Sequence, residues 1–142
     1  MDDPLDLARF VEAQRPVIDD VMDELRAGRK RSHWMWFVFP QLRGLGSTAM
    51  ADRYGIGSRE EAIAYLAHDV LGPRLRHCAQ LVTQSGAASA EALMGSTDAL
   101  KLSSSMTLFA EASDDDEDFV DVLDRYYGGR RDARTLSMLA GR

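Results

Sequence analysis

Residues 29–47 read RKRSHWMWFVFPQLRGLGS, so that three cations lead into an aromatic segment and then into a turn that contains glycine. From Trp34 to Phe39 every side chain is apolar, and the segment has no polar side to present to water. Burial of one large apolar side chain stabilises a folded protein by ~1.5–3 kcal/mol. The simplest interpretation is that residues 34–39 form the central element of a hydrophobic core.

On both sides of this segment, apolar residues recur at the spacing of amphipathic helices. One predicted apolar face, for example, includes Cys78 on a helix that is expected to begin near Asp69. Helix starts are predicted from capping residues, namely Asp3 before Pro4, Ser47, Ser58 with Glu61 three residues later, and Asp132. Only residues 35–39 could also be read as a strand. The sequence therefore predicts an all-α fold, with residues 1–142 forming a single compact domain of about seven short helices.

The composition excludes several classes of protein. Of the 142 residues, 45% are hydrophobic and 28% are charged, which is typical of globular rather than disordered chains. The 17 basic and 23 acidic residues give a net charge of −6, which argues against nucleic acid as a partner. Cys78 is the only cysteine, so an intrachain disulfide is excluded and a reducing compartment is indicated. The N-terminus lacks a secretion signal, and no apolar run approaches the ~20 residues of a membrane span, so we predict a soluble, cytoplasmic protein.

Arg29, Lys30 and Arg31 suggest an anion site, because guanidinium groups pair bidentately with phosphate or carboxylate. Arg43 begins the turn RGLGS, which ends on Ser47, the expected cap of the next helix, where free backbone N–H groups can also hold an anion. The turn matches neither a P-loop nor a dinucleotide-binding fingerprint, because no strand precedes it. The simpler alternative is that the three consecutive cations lie in a solvated turn.

The aromatic segment supplies the candidate walls of such a pocket. An indole N–H group needs a hydrogen-bond partner when it is buried. His33, Trp34 and Trp36 could therefore line a pocket whose rim is the basic triplet, with an indole stacked on the organic part of a ligand. The alternative is that all three belong to the core, because aromatic clusters mark cores more often than sites.

A second polar cluster, KLSSSMT at residues 101–107, lies inside an expected helix. Lys101 and Ser105 are one turn apart and share a helix face, so both could line the same cleft. A Ser–Lys nucleophile pair would in addition need a desolvated lysine. Alternatively, the small side chains simply allow two helices to approach closely.

No metal site and no cofactor are predicted. His68, His77 and Cys78 lack the close ligand spacing of a zinc module, and neighbours on a helix point to different faces. The acidic run at residues 114–118 lacks the alternating ligands and the glycine of a calcium loop. Carboxylates in that position are typical of a first helical turn, where they complement the helix dipole.

The sequence resembles one family in five ordered blocks, LRAGRKRSHWMWFVFPQLRGLG, RYGI, EAIAYLAHDVLGPRL, KLSSSMTLFA and YYGGRRDARTL. This family is the domain of unknown function numbered 1810, which comprises small bacterial and fungal proteins often mislabelled calpastatin. The resemblance covers nearly the whole chain and implies an all-helical single domain. It implies no established activity, cofactor or catalytic residue. The calpastatin label would imply a disordered calpain inhibitor, which the composition contradicts.

Two functional hypotheses follow. In the first, the protein binds or processes an anionic, nucleotide-like small molecule in a cleft lined by arginine and tryptophan. The anion-binding candidates are Arg29, Lys30, Arg31, Arg43, Lys101 and Ser105, and the pocket candidates are His33, Trp34 and Trp36. In the second, the protein is a helical interaction module for a protein partner and has no small-molecule substrate. The sequence leaves open whether the protein is an enzyme, and it assigns no catalytic residue.

Overall fold

The fold, seen in a computed structural model that describes residues 2–141, consists of ten α-helices in that range. They are α1 Ala8–Gln14, α2 Ile18–Arg26, α3 Met35–Val38, α4 Ala49–Arg53, α5 Arg59–Ala67, α6 Leu71–Gln84, α7 Ala90–Met94, α8 Ser96–Ala112, α9 Glu117–Tyr127 and α10 Ala133–Ala140. The predicted all-α fold is confirmed, but the expected number of about seven helices is too low. Helix α3 has only four residues, too few to repeat the apolar pattern. The predicted domain boundaries at Met1 and Arg142 lie outside the described residues.

The aromatic segment lies in the hydrophobic core, as predicted. Trp34 and Phe39 each expose only 1% of their surface. The alternative of a strand is excluded, because the segment forms helix α3. Within residues 2–141 the one β-type contact is an isolated parallel bridge between Leu42 and Ile56. This bridge folds the chain back after α3 and brings residues 41–46 next to α4.

Two helices begin at the predicted caps. Ser58 Oγ accepts the N–H of Glu61 at 3.1 Å, and Asp132 Oδ2 accepts the N–H of Thr135 at 3.0 Å. Each side chain satisfies a backbone donor that has no partner within its helix. The Glu61 carboxylate does not return to Ser58 to complete a capping box, because it pairs with Arg9 instead.

The start predicted for the first helix is wrong. Helix α1 begins at Ala8 rather than at Pro4, although the Asp3 carboxylate still accepts the N–H groups of Leu7 and Ala8, both at 2.9 Å.

Two further helix starts differ from the prediction by one or two residues. The cap of α4 is Thr48, whose hydroxyl accepts a backbone N–H three residues on at 3.1 Å, and Ser47 lies just before it. Helix α6 begins at Leu71 rather than near Asp69. The reason is His68, whose Nδ1 accepts two backbone N–H groups at this helix start, at 3.1 and 3.3 Å.

Arg9 joins the first helix to the rest of the fold. Its guanidinium donates one hydrogen bond to the Glu61 carboxylate at 2.9 Å and four to the backbone carbonyls of Leu5, Asp6, Arg53 and Gly55. The Arg9 and Glu61 side chains expose only 5% and 7% of their surface. Because all five N–H donors of Arg9 are used, the residue is a structural link and has no donor left for a ligand.

Helix α8 is the longest helix within residues 2–141, with 17 residues, and packs against α5, α7, α9 and α10. Helix α6 starts in direct contact with the end of α5. At Gly72 a Cβ atom would lie only 2.1 Å from the carbonyl oxygen of Leu66, so this position requires glycine. Within residues 2–141, the length and hydropathy of the helices do not fit a membrane span.

Cys78 lies on the apolar face of α6 and is fully buried, as the helical spacing predicts. Burial raises the pKa of its thiol to about 12, because the thiolate would be poorly solvated. Since the thiolate is the reactive form, we expect a thiol reagent at pH 8 to label the native protein at least ~100-fold more slowly than the urea-unfolded protein. Equal labelling rates would show that this face of α6 opens readily in solution.

Candidate functional site

The basic triplet does not act as a single cluster. Lys30 turns inward, with its Nζ 2.9 Å from Asp98 Oδ2 and 5.0 Å from the centroid of the Trp34 ring. Arg29 and Arg31 are exposed, and their guanidinium groups make no hydrogen bond or ion pair with any other part of residues 2–141. The triplet therefore contributes one internal cation and two solvated ones.

Glu24 organises the loop that carries the triplet. Its carboxylate accepts hydrogen bonds from the backbone N–H of Arg31 (2.6 Å) and Ser32 (3.0 Å), the Ser32 hydroxyl (2.6 Å) and the Trp34 indole N–H (3.1 Å). Burial acts to raise the pKa of Glu24, but these hydrogen bonds outweigh it and lower the pKa to about 2. Because Trp34 is buried and its N–H is satisfied, this indole belongs to the core and does not face a pocket.

Arg43 lines a different part of the surface from the triplet, and His33 makes no contact within residues 2–141 that would place it in a pocket. Arg43 donates to the backbone carbonyls of Asp52 and Gly55, both at 3.1 Å. It lines a shallow surface cleft of about 710 Å³ that also contains Arg9. Three arginines and three carboxylates meet in this cleft, so their charges balance and it offers little attraction for an anion. His33 is exposed on the loop before α3.

The structure does bring Lys101 and Trp36 together. The Lys101 Nζ lies 5.3 Å from the centroid of the Trp36 ring and 3.7 Å from Asp98 Oδ1. Asp98 is thus shared between Lys101 and Lys30. The indole Nε1 of Trp36 is buried and has no hydrogen-bond partner within residues 2–141. A buried donor without an acceptor among the described residues takes its partner from outside them, as a water molecule or a ligand atom.

We name the depression beside these residues the Lys101 groove. Its volume is about 350 Å³, and it lies between residues 41–46 and the starts of α8 and α10. Its walls are Gln41, Leu45, Gly46, Thr97, Leu100, Lys101, Ser104, Asp132 and Arg134. A smaller inner pocket of about 10 Å³ is lined by Met35, Trp36, Phe39, Gln41, Ala51, Tyr54, Gly55 and Lys101. The two spaces share Gln41 and Lys101, so they adjoin at the Lys101 side chain.

The groove carries charges that the sequence does not single out. The guanidinium of Arg134 makes no ion pair or hydrogen bond within residues 2–141, so it is available to a ligand. Asp132 was predicted only as a helix cap, yet it also lines the groove. Leu100 is 73% exposed at the groove wall. Lys101 is the one residue of this groove that the sequence predicts as a binding candidate.

Ser105, the remaining candidate, lies one turn beyond Lys101. It is completely buried, and its hydroxyl has no hydrogen-bond partner within residues 2–141. No hydrogen bond joins it to Lys101, so the geometry of an activated nucleophile is not formed. Among the described residues, no group of three or more His, Cys, Asp or Glu side chains could hold a metal ion.

The fold and the site define a class: a small all-helical domain in which Lys101 and Arg134 line a groove near the start of α8. The family described as protein of unknown function (DUF1810) matches residues 4–139, and the chain belongs to this family, as its sequence blocks predict. The chain is similar to the conserved hypothetical protein Rv1873 from Mycobacterium tuberculosis, with a TM-score of 0.96 and 63% identity over 97% of this chain and 99% of the other. No curated protein gives a significant match.

Proposed function

We propose that the protein binds a small organic anion in the Lys101 groove. The observation that carries this proposal is the unpartnered indole N–H of Trp36 beside the ammonium group of Lys101. Leaving a buried donor without an acceptor costs ~1–3 kcal/mol. One ligand oxygen in the inner pocket would satisfy this donor and accept a charge-assisted hydrogen bond from the lysine.

Lys101 is free enough to turn toward a ligand. Its distance of 3.7 Å from Asp98 exceeds that of a hydrogen bond, and its side chain is 25% exposed. Asp98 keeps Lys30 as a partner at 2.9 Å when Lys101 moves, so the carboxylate does not become an unpaired charge. Arg134 supplies a second cation at the groove wall.

The size of the groove restricts the ligand. A volume of about 350 Å³ lies at the small end of ligand pockets, which span ~300–1,000 Å³. The apolar part of a ligand would cover Leu45 and Leu100. Of the residues considered in the sequence, Trp36 and Lys101 support binding here, whereas Trp34 is too deeply buried to stack on a ligand. We place this activity in the cytoplasm, on the basis of the single free cysteine.

The proposal is tested by thermal denaturation in the presence of inorganic phosphate, AMP and 3-phenylpropanoate. At ~100 times its Kd, a bound anion adds ~2.7 kcal/mol of stability, which raises the melting temperature by roughly 5–10 °C. We expect at least one of these anions to give such a rise, and Lys101→Met to abolish it.

The matched control is Arg29→Met, which removes the same charge from an exposed position outside the groove. This variant should keep the full rise in melting temperature. If phosphate, AMP and 3-phenylpropanoate all leave the wild-type melting temperature unchanged, and phenylalanine, whose carboxylate is accompanied by an ammonium group, does so as well, the proposal is wrong. If Lys101→Met and Arg29→Met lose the ligand-induced rise in melting temperature to the same extent, the rise is a non-specific effect of charge. That result would also reject the groove as the binding site.

The alternative function, a helical interaction module, has weaker support. It would draw on the exposed apolar residues Leu100, Ile63 and Met50. These residues lie on three different helices, α8, α5 and α4. Single exposed apolar residues are common on proteins that bind no partner.

A further inference from the structure

Asp132 places a carboxylate in the wall of a groove whose other charged groups are cations. Its Oδ2 is occupied by the Thr135 N–H (3.0 Å), the Thr135 hydroxyl (2.6 Å) and the Ser104 hydroxyl (3.4 Å). Its Oδ1 accepts no hydrogen bond from any group within residues 2–141. One oxygen of this carboxylate is therefore used by the fold, and the other is left for a partner.

The Asp132 carboxylate is held in position from several sides. Its backbone N–H donates to the Thr107 hydroxyl at 2.8 Å, and both Thr107 and Thr135 are completely buried. The side chain thus cannot swing away from the groove without breaking the cap of α10. Arg134 lies two residues further on in the same groove wall. The groove consequently presents Lys101 and Arg134 together with a fixed negative charge.

A fixed carboxylate discriminates among anions. A ligand that carried only negative charge would be attracted by Lys101 and Arg134 but repelled by Asp132. A ligand that also carried an ammonium group would turn this repulsion into an ion pair with Oδ1. Specificity often depends on such a repulsive element as much as on the attractive ones.

We infer that the ligand of the Lys101 groove is an α-amino acid or a similar zwitterion, an inference that rests on the function proposed above. Its carboxylate binds Lys101 and Arg134, and its ammonium group binds Asp132 Oδ1. Its side chain covers Leu45 and Leu100. A free amino acid is small enough for a groove of about 350 Å³.

The test uses pairs of ligands that differ only in the ammonium group. Isothermal titration at pH 7 and constant salt compares leucine with 4-methylpentanoate, phenylalanine with 3-phenylpropanoate, and glutamate with glutarate. In at least one pair we expect the amino acid to bind at least tenfold more tightly, which corresponds to ~1.4 kcal/mol. Asp132→Asn keeps a capping side chain for α10 but removes the charge, and we expect it to reduce this preference to less than threefold.

The matched control is Asp121→Asn, which makes the same change of charge at an exposed position on α9 and should retain the preference. If the carboxylic acids bind as tightly as their amino acids, the zwitterion inference is wrong while anion binding stands. A preference that persists in Asp132→Asn also rejects the inference. If none of the six compounds binds and phosphate and AMP also fail, the proposed function falls together with the inference.

Discussion

Replacing Arg9 with methionine is expected to lower the free energy of unfolding by ~3–5 kcal/mol, the cost of breaking a buried ion pair from one side. The variant leaves the buried Glu61 carboxylate without its ion-pair partner and removes one hydrogen-bond donor from each of four backbone carbonyls. Methionine retains the apolar stem of the side chain, so the loss reports mainly on charge and hydrogen bonding. Urea denaturation at pH 7 measures it.

Arg15→Met is the matched control, because Arg15 is exposed at the end of the same helix. It should change the free energy of unfolding by less than ~0.5 kcal/mol. The double variant Arg9→Met with Glu61→Gln should recover part of the loss, since no charge then remains buried without a partner. A loss below ~1 kcal/mol for Arg9→Met alone would show that water reaches this pair in solution.

Replacing Glu24 with alanine is expected to lower the free energy of unfolding at pH 7 by ~1.5–3 kcal/mol, the range found for hydrogen bonds to charged groups. The main reason is Trp34, whose buried indole N–H would lose its acceptor. Arg31 and Ser32 would lose theirs as well, and the loop before α3 would loosen. Asp23→Ala is the control, because Asp23 makes only an exposed ion pair with Arg26 on the same helix.

The contribution of Glu24 should also depend on pH in a defined direction. Its pKa is about 2 in the folded protein and near 4.5 when the chain is unfolded. A lowered pKa stabilises the fold fully above about pH 4.5, and this stabilisation disappears as the pH falls toward about 2. The difference in stability between wild type and Glu24→Ala should therefore be constant from pH 6 to 8 and shrink below about pH 4.5. A difference that stays constant down to pH 3 would contradict the role assigned to the charge.

Much of the fold follows from local patterns in the sequence. Ser58 and Asp132 cap their helices because a cap depends on residues only three positions apart. The burial of Cys78 is predictable as well, because helical spacing alone defines the apolar face of α6 on which it lies. Helix α3 escapes such reasoning, since tertiary packing rather than a repeated pattern stabilises a helix of four residues.

The candidate site is predictable only in part. Trp34 and Trp36 look equivalent in the sequence, but Glu24 on a different helix satisfies the indole of Trp34 and not that of Trp36. The Lys101 groove is assembled from the loop at residues 41–46, the start of α8 and the start of α10. No spacing rule connects these three segments. Arg134 therefore becomes a candidate only because the folded structure places it in the wall of the same groove as Lys101.

Each tryptophan lies close to a lysine, so intrinsic tryptophan fluorescence can report on movement of that lysine. The chain has two tryptophans, and an ammonium group lies 5.0 Å from the ring of one and 5.3 Å from the ring of the other. The fluorescence of an indole responds to a charge that moves near its ring. In a Trp34→Phe variant the sole tryptophan is Trp36, and the charge that moves when the groove fills is that of Lys101. The intensity of this single fluorophore then follows occupancy of the groove directly, without a dye or a label.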